Sequence, residues 1–80
     1  MSEILKDYLD SMLEKINMYI GCADERGGSY ITWARDDINF MRGVLAGYMT
    51  ANIFDNDELN EYYKKLEKCR DRLTIIERGT

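Results

Sequence analysis

Apolar residues recur at alternating steps of three and four along three stretches of this chain, and no proline interrupts them. These steps match the period of an α-helix, so each stretch predicts an amphipathic helix. We expect helices over about residues 3–24, 30–52 and 57–77. The apolar positions are Leu5, Leu9, Met12, Ile16, Tyr19 and Ala23, then Ala34, Ile38, Met41, Leu45 and Tyr48, and finally Leu59, Tyr62, Leu66, Cys69, Leu73 and Ile76.

Two short breaks separate the three periodic stretches. At the first, Gly27 and Gly28 can end a helix because glycine accepts positive φ, and Ser29 is expected to cap the next helix. At the second, Asp55 or Asn56 is the expected cap. Short connections make consecutive helices antiparallel neighbours. The sequence therefore predicts an all-α fold, an antiparallel three-helix bundle of up-down-up helical hairpins that forms a single domain over residues 1–80.

Helices 1 and 2 carry wider apolar arcs than such a bundle needs. Each arc spans roughly 180° of the helical wheel, whereas a helix that faces one core needs an arc of only ~100°. Tyr8 widens the arc of helix 1, while Trp33 and Phe40 widen that of helix 2. One interpretation is that bulky side chains wrap the flanks of a small core. The other is that the surplus binds a partner protein or a second copy of the chain, so that a homodimer forms a larger helical bundle.

Gly43 and Gly47 form a G-x-x-x-G motif at the border of the apolar arc of helix 2. A glycine inside a helix costs about 0.5–1 kcal/mol relative to alanine, so a pair of them calls for a reason. Small residues at this spacing let another helix approach closely. That helix is either helix 1 of the same chain or a helix of a partner.

Asp37 falls inside the apolar arc of helix 2, where an unpaired carboxylate would be costly to bury. In the predicted bundle it lies near residues 70–72 of helix 3. We therefore expect a structural ion pair between Asp37 and Arg70, with Arg72 as the alternative partner. A catalytic role is disfavoured because no second catalytic group accompanies Asp37.

Charged rows lie on two of the helices. The acidic row of helix 1 comprises Glu3, Asp7, Asp10 and Glu14, and the basic row of helix 3 comprises Lys64, Lys65, Lys68 and Arg72. The ordinary interpretation is a solvated helix surface. Alternatively, the acids imitate phosphate, as in a small acidic inhibitor of a nucleic-acid-processing complex carried by a phage or mobile element. A third hypothesis is weak nucleic-acid binding by the basic row, although the net charge of −4 disfavours direct binding.

The composition disfavours an enzyme. The chain has no histidine, so Ser–His and Cys–His dyads are impossible, and no glycine-rich phosphate loop follows a strand. Cys22 and Cys69 are expected to lie too far apart for a disulfide. We expect no cofactor, metal, small-molecule substrate or membrane contact, and a cytoplasmic location because no signal peptide is recognisable.

These features together predict a non-enzymatic protein–protein interaction module. The partner is expected to bind the apolar faces of helices 1 and 2. The predicted contact residues are Tyr8, Trp33, Phe40, Gly43 and Gly47, with Glu3, Asp7, Asp10 and Glu14 beside them.

Overall fold

A computed structural model describes residues 3–52 and 55–79 as three helices, α1 (Glu3–Arg26), α2 (Ser29–Ala51) and α3 (Asn56–Gly79). All three helices pack against one another, and the all-α three-helix bundle predicted from the sequence is confirmed. The observed helix ends differ from the predicted ones by at most two residues. The apolar period therefore located the helices well.

Side-chain contacts between helices show the direction of each one. Tyr62 and Cys69 of α3 contact Asp10 and Asn17 of α1, respectively. Both contacts advance along the two helices together, so α1 and α3 run parallel. The up-down-up arrangement follows, because α2 connects them through short turns and must run the opposite way.

The turn between α1 and α2 depends on two glycines with left-handed backbone. Gly27 has φ 64° and Gly28 has φ 61°, values that side-chain-bearing residues rarely adopt. Gly28 is the N-cap of α2, and no side chain makes a capping hydrogen bond there. The prediction that Ser29 caps this helix is wrong because α2 begins one residue earlier than expected, which makes Ser29 its first helical residue.

The start of α3 follows the predicted pattern. The backbone N–H of Asp57 donates to Oδ1 of Asp55 at 2.9 Å, so the Asp55 side chain satisfies one of the amides that a helix N-terminus leaves without a partner. Asp57 and Glu58 lie in the first turn, where the helix dipole favours negative charge.

One stripe from each helix forms a single core. Among the described residues the buried side chains are all apolar or, like Tyr62 and Cys69, largely apolar, and no charged side chain is buried. The charged side chains therefore lie on the surface, where their distribution can distinguish one face of the bundle from another. The core comprises Leu9, Leu13, Ile16, Ile20, Ala34, Ile38, Met41, Leu45, Leu59, Tyr62, Leu66, Cys69 and Leu73.

Candidate interaction surface

An open groove of about 450 Å³ runs between α1 and α2 on the outer surface of the bundle. It forms because the two helices are antiparallel neighbours whose core stripes face inward, which leaves the flanking side chains to line the gap between them. We call it the α1–α2 groove, and its lining residues are Tyr8, Ser11, Met12, Lys15, Asp37 and Phe40.

Three of the predicted contact residues lie at this groove and remain half exposed. Tyr8 and Phe40 line it with exposed fractions of 41% and 58%. Trp33, which is 47% exposed, borders the adjoining hollow that shares Asp37 with the groove. The bulky side chains thus wrap the core only in part, and an apolar surplus is left in contact with solvent.

A cluster of three aromatic rings holds Trp33 in place. The ring centroids of Tyr30 and Trp33 are 5.2 Å apart in an edge-to-face arrangement, and Tyr19 of α1 lies 5.8 Å from Trp33 and 6.4 Å from Tyr30. Such pairs stabilise beyond the apolar area that they bury. The helical periodicity did not identify Tyr19 and Tyr30 as supports of Trp33, although the i,i+3 spacing of Tyr30 and Trp33 was a signal for that pair.

The predicted ion pair between Asp37 and Arg70 is wrong. The Asp37 carboxylate lies 3.3 Å from Nζ of Lys15 on α1, inside the α1–α2 groove. Arg70 pairs instead with Glu67 on its own helix, at 3.7 Å, and its side chain is about half exposed. Neither carboxylate is deeply buried, so both pairs are surface pairs that contribute little to stability.

The register and rotation of α2 explain this error. Arg35 of α2 pairs with Glu77 of α3 across the bundle. In an antiparallel pair this contact places position 37 opposite about position 75, roughly one turn beyond Arg70. Asp37 moreover points towards α1, because it lies on the flank of α2 that faces that helix.

Gly43 and Gly47 are exposed on α2, one and two turns beyond Phe40. A methyl group placed on either α-carbon would meet no atom within 4 Å. The interpretation that the two glycines pack against helix 1 within the chain is therefore wrong. A contact with another molecule remains a prediction.

The acidic row of α1 divides into surface and structural members. Glu3, Asp7 and Glu14 are exposed, whereas Asp10 accepts a hydrogen bond of 2.8 Å from the hydroxyl of Tyr62. Burial, together with the Asp10 carboxylate, raises the pKa of Tyr62 to about 12. Asp10 thus contributes to the contact between α1 and α3. Phosphate mimicry by this acidic row remains a prediction.

The basic row of α3 is partly engaged as well. Lys64 lies 3.5 Å from Glu61, and Lys65 lies over the ring of Tyr62. Arg72 donates to Oδ1 of Asn17 on α1 at 3.1 Å. Weak nucleic-acid binding by this row also remains a prediction.

Asn17 makes a second polar contact between α1 and α3, which the sequence pattern did not indicate. Besides the bond from Arg72, its Oδ1 lies 3.5 Å from Sγ of Cys69, and its amide donates to the backbone of Leu13. Burial raises the pKa of the Cys69 thiol. Cys22 and Cys69 are both free thiols.

The described residues contain neither a metal-type cluster nor a helix that could span a membrane. No group of three or more His, Cys, Asp or Glu side chains there is arranged to hold a metal ion. No helix in residues 3–52 or 55–79 combines the length and the apolar character needed to cross a membrane. Comparison with protein-family models, with curated proteins and with solved structures gave no match to this chain.

Proposed function

We propose that this protein is a non-enzymatic interaction module that binds a macromolecular partner through the α1–α2 groove. The observation that supports this proposal is the half-exposure of Tyr8, Trp33 and Phe40 on one face. An aromatic side chain can bury about 150–250 Å², so three half-exposed rings leave about 300 Å² of apolar surface in water. A patch of this size is comparable to the largest patches on monomeric proteins, which are often functional.

The support of Trp33 adds to this argument. Binding orders side chains, and each one that must be immobilised costs about 0.5–1.5 kcal/mol. Contacts with Tyr19 and Tyr30 already restrict the Trp33 ring in the free protein. A partner would therefore meet a largely prearranged aromatic anchor, and tryptophan and tyrosine are enriched among the residues that dominate binding energy.

The proposal includes narrower versions that concern the partner and the compartment. If the partner is a second copy of this chain, the protein is a homodimer. If the partner is a nucleic-acid-processing complex, the protein is an inhibitor of that complex. For the inhibitor, Glu3, Asp7 and Glu14 are the acids that remain exposed. A cytoplasmic location accords with the two free thiols, because reducing compartments keep cysteines unpaired.

The test compares two variants that place the same charge at exposed apolar positions. Phe40→Asp alters the groove, while Ile75→Asp alters the far surface of α3, where Ile75 is 71% exposed. Wild-type and variant proteins would be used to recover partners from native cells, with quantitative mass spectrometry as the readout and light scattering for self-association.

The proposal expects a partner or a dimer that wild type and Ile75→Asp retain and that Phe40→Asp loses. Circular dichroism would check that all three proteins fold. Identical recovery and identical mass for all three would contradict it.

A further inference from the structure

We infer that the occupant of the α1–α2 groove is a basic amphipathic α-helix supplied by a partner protein, an inference that rests on the proposed function. It depends on where the charges lie, on the shape of the groove and on the poor fit of a second copy.

Three of the four excess negative charges of the protein belong to α1. Residues 3–26 of α1 carry six acids and three bases, whereas α2 and α3 each carry equal numbers of acids and bases. The two acids of α2, Asp36 and Asp37, border the hollow beside Trp33. Its two bases, Arg35 and Arg42, border the opposite groove against α3.

Acids stand on both margins of the α1–α2 groove. Ser11 lines the groove, and the exposed Asp7 and Glu14 are its neighbours one turn before and one turn after on α1. Asp36 occupies the α2 margin. The charge of Lys15 within the groove is offset by Asp37, 3.3 Å away. The margins are therefore acidic, while the groove between them combines the apolar Tyr8, Met12 and Phe40 with a charge-balanced ion pair.

The shape of this surface suits a helix. A trough between two antiparallel helices accepts a third helix whose apolar residues recur at i, i+3, i+4 and i+7. Tyr8 and Phe40 would contact that apolar stripe. Gly43 and Gly47 are exposed on α2 with open space around them, so the backbone of an incoming helix could approach α2 closely there. Lysine and arginine on the flanks of the incoming helix are long enough to reach acids on both margins.

A second copy of this chain fits less well. A two-fold symmetric dimer through the groove would set the acidic margins of one protomer against the same margins of the other, and like charges across an interface oppose association. The α3 helix of a second copy does not supply an apolar stripe either, because Ile75 is the one large apolar side chain exposed on its described residues. Charge complementarity thus favours a different, basic partner.

Two synthetic peptides test the inference directly. Both are 18-residue helices with leucine at the a and d heptad positions, one with lysine and the other with glutamate at the remaining positions. Trp33 is the sole tryptophan and is half exposed beside the groove, so its fluorescence reports binding. At low ionic strength we expect the lysine peptide to bind at least about tenfold more tightly than the glutamate peptide, an effect that salt reduces.

Two double variants with the same change in net charge locate the interaction. Glu14→Lys with Asp36→Lys reverses one acid on each margin and should weaken binding of the lysine peptide about tenfold. Asp24→Lys with Asp71→Lys reverses exposed acids elsewhere and should leave binding within about twofold. An equal loss in both double variants would show unspecific attraction and overturn the inference.

The remaining outcomes separate this inference from the proposed function. Equal binding of both peptides, weakened by Phe40→Asp, would keep the groove as a binding site and reject a basic occupant. A dimer that Phe40→Asp dissociates, with no binding of either peptide, would identify a second copy as the occupant. A monomer that binds neither peptide would overturn this inference, and identical recovery of partners by wild type and Phe40→Asp would overturn the proposed function as well.

Discussion

At the scale of single residues, polar side chains at the edge of the core join α1 to α3. The Tyr62 hydroxyl donates to Asp10, and Arg72 donates to Asn17 about two turns further along. The Tyr62–Asp10 bond is partly buried, so removing one partner leaves the other less well satisfied, whereas the Arg72–Asn17 bond is exposed to water. These links fix how α1 and α3 lie relative to each other.

The hydrogen bond from Tyr62 to Asp10 predicts that the protein loses stability at alkaline pH. The pKa of Tyr62 is about 12 in the folded protein and 10.0 in its unperturbed state, so the neutral phenol is favoured by folding. Its contribution to stability is complete below pH 10 and is lost as the pH rises from about 10 to 12. We expect the free energy of unfolding of wild type to fall over this range more steeply than that of Tyr62→Phe. Urea denaturation at several pH values would measure the difference.

The same variant gives the size of the link at neutral pH. Tyr62→Phe keeps the buried ring but loses the hydrogen bond, and we expect a loss of about 1 kcal/mol at pH 7. If the free energies of unfolding of the two proteins changed in parallel with pH, the Tyr62 hydroxyl would not be bonded to Asp10 in solution.

At the scale of elements, α2 combines two kinds of glycine with opposite consequences. Gly28 at its N-terminus has positive φ and forms the turn. Gly43 and Gly47 lie in regular helix with open space around them, where glycine only weakens the helix. The turn glycine serves the fold, whereas the fold gives no reason for the other two.

Alanine substitutions should separate these roles. Gly43→Ala is expected to stabilise the isolated protein by about 0.5–1 kcal/mol, because alanine is the better helix former and its methyl group meets nothing. Gly28→Ala should destabilise by about 1–3 kcal/mol, because residues with a side chain rarely adopt its positive φ. If a partner helix approaches α2 closely, Gly43→Ala should also weaken binding of the lysine peptide. Thermal melting and the Trp33 titration measure the two effects, and a destabilised Gly43→Ala protein would contradict the open space around that residue.

At the scale of the whole molecule, a chain of this length has little stability in reserve. A total of roughly 4–12 kcal/mol is expected for 80 residues. One core supplies most of it, because all three helices bury their stripes together. Side chains of the groove face solvent instead, so the core and the proposed binding site occupy different surfaces of α1 and α2.

This separation is testable with one core variant and one groove variant. Leu66 is fully buried, and Leu66→Ala should cost about 2–5 kcal/mol through lost burial and the cavity that remains. Phe40→Gln should cost less than about 1 kcal/mol, because more than half of the ring is already in water. Urea denaturation of both variants measures the difference. A loss of several kcal/mol for Phe40→Gln would place Phe40 in the core and remove the basis of the groove.

The sequence alone predicted the positions of the three helices, the buried stripes of α2 and α3, and an N-cap at Asp55 or Asn56, because these depend on periods and on contacts within a few residues. It misplaced part of the α1 stripe, where Leu13 and Ile20 are buried while Leu5, Met12 and Tyr19 are only partly buried. It also identified Tyr8, Trp33 and Phe40 as surplus to the core, since that follows from the width of an arc on one helix. The pairing of Asp37 with Lys15, the bond from Arg72 to Asn17 and the support of Trp33 by Tyr19 could be found only in the tertiary structure. Partners across helices depend on the register and rotation at which whole stripes interlock. A shift of one turn changes every such pair while leaving the period of each helix the same.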